Sequence, residues 1–320
     1  MSQAHRVSVI DSHTGGEPVR VVMSGGPDLG GGTLAERLAR FRSEHDLFRS
    51  AVVNEPRGSD LLAGALLCQP VNPRASAGAI FFDSAGYLDS CIHGTMSVVA
   101  TLAHLGRIAP GRHLIETPAG DVTAELQEAG TVSVRNVPSY RGQADVPVHV
   151  EGYGPVIGDV AYGGGWFFLV SGHGEELTLA NVEHLMQFAG RIRQALAQQG
   201  ITGTDGAGID HIELFGPAES ESADIRSFVL CPGKAYGRSP SGTGVSAKLA
   251  CLAADGVLAE GAVWRQESIT GTIFEGSYEF AGATDGLQTV IPAIKGSPFV
   301  NAEGVLLLSP ADPFCYGIRG

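Results

Sequence analysis

The sequence predicts an α+β protein built from two similar halves, each a set of short strands around one buried helix. Three observations carry this. The 320 residues exceed the usual single-domain size, so about two domains are expected. Glycine occurs 45 times with no collagen period, which reads as many tight turns and close backbone approaches. A small polar residue, a Gly-Thr pair and an apolar helix of similar length occur twice, led by Cys91 and by Ser241, 150 positions apart.

Composition narrows the function classes. Apolar residues make up 43% and charged residues 17%, enough to bury a large core. Acidic residues outnumber basic ones 34 to 21, a net charge of -13, which argues against a nucleic-acid surface. The five cysteines (Cys68, Cys91, Cys231, Cys251, Cys315) show no CxxC spacing. A zinc site or disulfide framework is therefore not expected, and a reducing compartment fits. Residues Met1 to Val9 lack an apolar signal core, and no stretch approaches the roughly 20 apolar residues of a membrane span. The expectation is a soluble, cytoplasmic protein with no membrane partner.

In chain order, Val7 to His13 and Val19 to Met23 read as strands joined by the turn Thr14-Gly15-Gly16. Thr33 caps a helix whose Leu34, Leu38 and Phe41 share a face. Ala51-Val52-Val53, Leu61 to Leu67 and Ala79 to Phe82 are apolar runs of strand type. Met96 to Leu105 is a helix apolar almost all round, which places it inside the protein. Short strands follow from His113 to about Val137, and Val156 to Val170 is strand-like but broken by three glycines. Thr178 to Gln199 carries a helical period through Val182, Leu185, Phe188, Ile192 and Leu196. Strands around Ile209 to Phe215 and Ile225 to Leu230 lead to the second buried helix, Val245 to Ala254, and Ser268 to Leu308 is strand-rich. The N-termini of the two buried helices are expected to face each other across a cleft. Domain borders fall at 1-125 plus 293-320 for the half with Cys91, and 126-292 for the half with Ser241.

A helix start leaves amide N–H groups unpaired and carries about half a positive charge. Two such ends would bind one carboxylate well. The positive end also favours the thiolate of Cys91, and His93, two residues on, can hold it. A base beside a fixed carboxylate is the arrangement for removing the proton α to it. The plainer alternative is that Cys91 is a small core residue, which is what most cysteines before apolar helices are. Cys68, Cys231, Cys251 and Cys315 read as structural, and His13, His104, His173 and His211 lack ligand spacing. Asp210 with His211 is either a site pair or a strand-end pair.

These residues resemble the proline racemase family, which also holds hydroxyproline epimerases and trans-3-hydroxyproline dehydratases. The resemblance spans nearly the whole chain. Its motifs are Asp11-Ser12-His13-Thr14-Gly15-Gly16-Glu17-Pro18, Asn54-Glu55-Pro56-Arg57-Gly58 and Cys91-Ile92-His93-Gly94-Thr95. Further motifs are Asp210-His211-Ile212-Glu213, Arg238-Ser239-Pro240-Ser241-Gly242-Thr243-Gly244, Gly271-Thr272-Ile273-Phe274-Glu275-Gly276 and Asp312-Pro313-Phe314. The resemblance implies a pseudo-symmetric two-domain fold of the proline racemase and diaminopimelate epimerase type, each half a strand-rich barrel around a central helix. It also implies one imino-acid substrate between the halves, no cofactor and no metal, and it leaves room for a homodimer. In the family's racemases two cysteines flank the substrate Cα, one removing the proton and the other returning it. Cys91 matches the first.

The departures shape the expected reaction. Ser241 replaces the second cysteine, and an alcohol is a far weaker acid than a thiol. Members with threonine there are similar to dehydratases, so the first expectation is dehydration of trans-3-hydroxy-L-proline with Cys91 as base. His93, Gly94, Thr95, Gly242 and Thr243 would hold the substrate or assist the leaving hydroxyl, together with Ser241. The alternatives are a 4-hydroxyproline 2-epimerase or proline racemase and, in another class, an imino-acid-binding member without turnover. A Cys–His hydrolase is a weaker fourth. Gly237 stands where the family has an aspartate for the ring ammonium, and Asp210 is the first substitute, with Asp89 and Asp60 behind it. Ser59 replaces the usual histidine, and Ile92 the usual glycine.

Overall fold

The structure, a computed structural model, describes residues 4–88, 91–209, 211–232, 235–284 and 286–319. Asp89 and Asp210 lie outside the described residues. The chain divides into two compact units, Met1–Val134 with Gly296–Gly320, and Arg135–Lys295.

The first unit opens on the hairpin of β1 (His5–Thr14) and β2 (Glu17–Ser24). Its turn needs left-handed backbone at both Gly15 and Gly16. Then come α1 (Leu34–Glu44), α2 (Asp46–Val53), β3 (Ala63–Cys68), β4 (Ala77–Phe82), β5 (Tyr87–Leu88), α3 (Ile92–His104), β6 (Gly111–Thr117), β7 (Gly120–Leu126) and β8 (Val132–Arg135). Thr33 caps α1 in a reciprocal capping box with Glu36. Strands pair in the order β1, β2, β3, β4, β6, β7, β8. Helix α3 touches strands from both ends of this row, β1 and β2 on one side and β7 on the other, so the sheet wraps around it.

The second unit runs through β9 (Ser139–Val150), β10 (Gly154–Tyr162), β11 (Trp166–Ser171), α4 (Val182–Gln198), β12 (His211–Gly216), β13 (Ile225–Leu230), α5 (Gly242–Ala254), β14 (Trp264–Ser268), β15 (Ile273–Thr284) and β16 (Leu287–Gly296). Neighbouring strands pair in sequence from β9 to β16, and Thr289 opposite Tyr140 joins β16 back to β9. The eight strands thus close into a barrel, with α5 packed on β9, β10, β11 and β15. β17 (Pro298–Leu308) returns to the first unit and lies antiparallel to β1, where it also touches α3.

Side-chain alternation explains how one sheet serves two helices. Phe168, Val170, Ile212, Leu214, Phe228 and Leu230 share a core with Leu185, Phe188, Ile192 and Leu196 of α4. Their strand neighbours Phe167, Leu169, Phe215 and Val229 pack with Ala247 and Cys251 of α5. Successive residues point to opposite faces, so each strand is apolar on both sides and reads as a continuous run.

Three expectations are corrected. Ala51-Val52-Val53 is the last turn of α2, not a strand. Asp46 in its first turn pairs with Arg49 at 2.6 Å, and burial of every residue from Arg49 to Val53 outweighs the β-preference of two valines. The two buried helices begin earlier than expected, at Ile92 and Gly242, because glycine and threonine at a helix start weaken the periodic signal. Residues 179–181 form a 3-10 turn ahead of α4. Among the described residues no helix is long and apolar enough to cross a membrane.

Candidate active site

Cys91 is the N-cap residue of α3, in extended backbone and buried. Its carbonyl accepts from both Thr95 N–H at 2.8 Å and Thr95 Oγ1 at 2.9 Å. The helical ladder therefore starts at Thr95, and the amides of Ile92, His93 and Gly94 lie ahead of it. Thr95 was expected as a ligand donor, but its hydroxyl proton is committed to its own helix.

The Cys91 sulfur makes no capping bond. It sits 3.6 Å from Nε2 and 3.9 Å from Nδ1 of His93. Burial is the largest influence on the imidazolium and pushes it down. Charge on the Cys91 sulfur and its hydrogen bond, with Glu17 and Asp83 further off, together outweigh that and raise His93 to about 9. His93 is therefore held as an imidazolium at neutral pH, in contact with the Cys91 sulfur. Gly94 is needed for space: a Cβ there would lie 2.7 Å from the Cys91 sulfur and 2.9 Å from the Phe81 ring. Thr14 at the end of β1 donates to the His93 carbonyl at 3.2 Å and shares a hydrogen bond with Ser97 at 3.0 Å. This ties the first turn of α3 to the sheet.

The start of α5 is built differently. Ser241 is its N-cap residue with φ +60°, one of three described non-glycine residues in left-handed backbone. Its Oγ accepts from Gly244 N–H at 3.2 Å and lies 3.3 Å from Thr243 Oγ1. Its own N–H donates to Ser239 Oγ at 3.3 Å. The ladder starts with Val245 N–H to the Ser241 carbonyl at 2.8 Å, leaving the amides of Gly242 and Thr243 ahead of it. A residue with a Cβ is strained in that backbone.

Of the ammonium partners expected from sequence, Asp89 and Asp210 lie outside the described residues, and Asp60 is exposed. A Cβ at Gly237 would meet Ser239 O at 3.5 Å and Val229 at 3.6 Å, which is ordinary contact. The backbone there does not demand glycine. Among the described residues no group of three or more His, Cys, Asp or Glu could hold a metal. Cys68 is pushed up to about 11 by burial, and Cys251 is raised further by the same cause. Both behave as inert packing thiols.

Beneath the start of α5 lies a buried carboxyl that sequence reasoning singled out only as part of a motif, Glu213. Period-2 alternation turns it to the α5 face of β12, where it is fully buried against Gly244. A lone carboxylate inside the apolar run His211 to Phe215 was the available signal.

The model of the proline racemase family matches residues 9–319. The chain belongs to the proline racemase family. Among curated relatives it is 57% identical over 314 residues to the 4-hydroxyproline 2-epimerase of Pseudomonas aeruginosa, covering 98% of this chain and 99% of that protein. The 4-hydroxyproline 2-epimerase of Burkholderia cenocepacia is 58% identical over 313 residues, at 98% and 99% coverage. Among solved structures, a hydroxyproline epimerase from Agrobacterium vitis with bound trans-4-hydroxy-L-proline superposes with a TM-score of 0.86 at 26% identity, covering 99% of this chain and 95% of that one. A probable proline racemase from Agrobacterium radiobacter with bound carbonate gives the same TM-score at 27% identity, covering 98% and 96%. The two-unit α+β fold expected from sequence is the fold of this family.

Proposed function

We propose that this proline racemase family member is a 4-hydroxyproline 2-epimerase that inverts Cα of its substrate without a cofactor. The carrying observation is identity of 56–58% to epimerases of that name over nearly the full chain. The Cys91–His93 contact at the start of α3 supports it chemically.

In this reading the substrate carboxylate is held by amides that precede a helical ladder, such as those of His93 and Gly94. The Cys91 thiolate takes the α proton and becomes a thiol. The electron pair moves into the carboxylate, where the amide donors meet the growing charge. A proton returns to the opposite face of Cα from Ser241, or from a water that its hydroxyl holds, and exchange with solvent resets both groups. His93 lies against the Cys91 sulfur throughout.

The first expectation from sequence was dehydration, resting on Ser241 in place of cysteine. The relatives support the epimerase alternative instead. The test is incubation with trans-4-hydroxy-L-proline in heavy water. Deuterium at Cα with cis-4-hydroxy-D-proline as product is the expected result, and neither appearing would overturn the reading. A keto acid formed from trans-3-hydroxy-L-proline, without inversion of the 4-hydroxy substrate, would restore the dehydratase. Ligand binding that survives Cys91→Ser, with no exchange in either protein, would leave a binding protein.

A further inference from the structure

We propose that Glu213 is a positioning residue for Ser241: its buried carboxyl holds Gln266 against the Pro240 carbonyl and fills the space under Gly244. The turn 240–244 then keeps the backbone that aims the Ser241 hydroxyl. Only the kinetic part of this rests on the epimerase reading.

The contacts form one chain. Gln266 Nε2 donates to Glu213 Oε1 at 2.7 Å, and the same nitrogen lies 3.0 Å from Ser227 Oγ and 3.1 Å from the carbonyl of Pro240, the residue before Ser241. Glu213 and Gln266 are both fully buried, and Ser227 nearly so. Glu213 Oε2 would be 2.3 Å from a Cβ at residue 244. It therefore occupies the space that any side chain there would need. Gly244 in turn supplies the N–H that Ser241 Oγ accepts. One carboxyl group thus supports the Ser241 turn from the Pro240 side through Gln266 and from the Gly244 side by direct packing.

A polar group so placed needs a reason, because packing alone is served by carbon. In the first unit the equivalent glycine, Gly94, rests on the Phe81 ring, and no carboxyl is involved. Among the described residues Glu213 Oε2 and Gln266 Oε1 have no hydrogen-bond partner. An ionised carboxylate with a bare oxygen in that setting is costly, whereas a neutral acid buries no charge. Burial pushes Glu213 up to about 8, with the Ser227 hydroxyl, the Lys248 ammonium and the Gln266 amide drawing it part of the way back. Burial thus favours the uncharged acid in this place, and glutamine is its isostere.

The experiment compares Glu213→Gln and Glu213→Leu by epimerisation of trans-4-hydroxy-L-proline at pH 7 and by amide hydrogen exchange of the peptide spanning 237–250. Expected are a Glu213→Gln protein within about threefold of the parent kcat and a Glu213→Leu protein about a hundredfold lower, both at similar KM. Exchange in the 240–244 turn should speed up about tenfold in the leucine variant alone. Equal losses in both variants would show that the charge is what matters and overturn the proposal. So would a leucine variant that melts earlier but keeps its kcat per folded molecule and its exchange pattern. If the parent turns over no hydroxyproline, the epimerase reading fails, and the exchange comparison alone decides the role of Glu213. If the leucine variant does not fold, unchanged exchange in Gln266→Leu overturns the proposal and faster exchange supports it.

Discussion

The sulfur of Cys91 lies 3.6 Å from Nε2 of His93, two residues on and within the first turn of the same helix. The sulfur raises the imidazolium's titration. Burial alone would push the His93 imidazolium below the usual 6.5, and the neighbouring sulfur turns that into a rise to about 9. Removing the sulfur should reverse the sign. In Cys91→Ala, the His93 ring titration followed by proton NMR should fall from about 9 to below 6.5. A titration that stays near 9 would mean that Glu17 and Asp83 hold the proton and that Cys91 is no partner.

Gly94 keeps the Cys91 sulfur where it is. Gly94→Ala places a methyl 2.7 Å from that sulfur and 2.9 Å from the rigid Phe81 ring. The expected outcome is a loss of about 1–3 kcal/mol from overpacking. An exchange rate at Cα about a hundredfold lower should accompany it, because the displaced thiolate loses its line to the proton. Denaturant melts and deuterium uptake read the two effects separately.

Ser241 carries strain that its hydroxyl partly offsets. The φ of +60° costs on the order of 1–3 kcal/mol in a residue with a Cβ. The cap to Gly244 N–H returns about 1 kcal/mol. Ser241→Ala keeps the strain and loses the cap, so it should be less stable by about 1 kcal/mol. Ser241→Gly loses the strain and remains an acceptable cap, so it should match or exceed the parent. Both should fall in epimerisation. Higher stability of the alanine variant would contradict the backbone assignment.

Glu213 makes stability depend on pH in a defined direction. Its folded value, about 8, lies above the ordinary 4.5, so the folded protein holds a proton that the unfolded chain releases between those values. Its contribution is complete below about 4.5 and is lost as pH rises through 8, at up to ~1.4 kcal/mol per pH unit. Lys248 is the charged group facing it. Parent and Glu213→Gln melts from pH 5 to 8 should diverge, with the glutamine variant gaining. Parallel curves would rule out the raised titration.

Much of this was legible in the sequence for physical reasons. The capping box at Thr33 and Glu36 is local, so it appears where the residues predict it. The central helices are legible because they are apolar on every side, as interior helices must be. Ala51-Val52-Val53 was not, since a short apolar run has no period to read, and its helix is stabilised by burial against distant strands. The same limit applies to Thr95: its residue type suggests a donor to ligand, and only the helix geometry shows that its hydroxyl is already bonded to Cys91.

The order of residues alone determined the family and the two-unit α+β plan, because motifs and apolar periods are properties of nearest neighbours along the chain. Tertiary structure decided how those residues are held. The contact of Glu213 with Gly244, 31 positions apart, and the reach of Gln266 to Pro240 depend on which face of β12 and β14 meets α5. A strand's alternation leaves two choices of face, and only packing against the helix selects one.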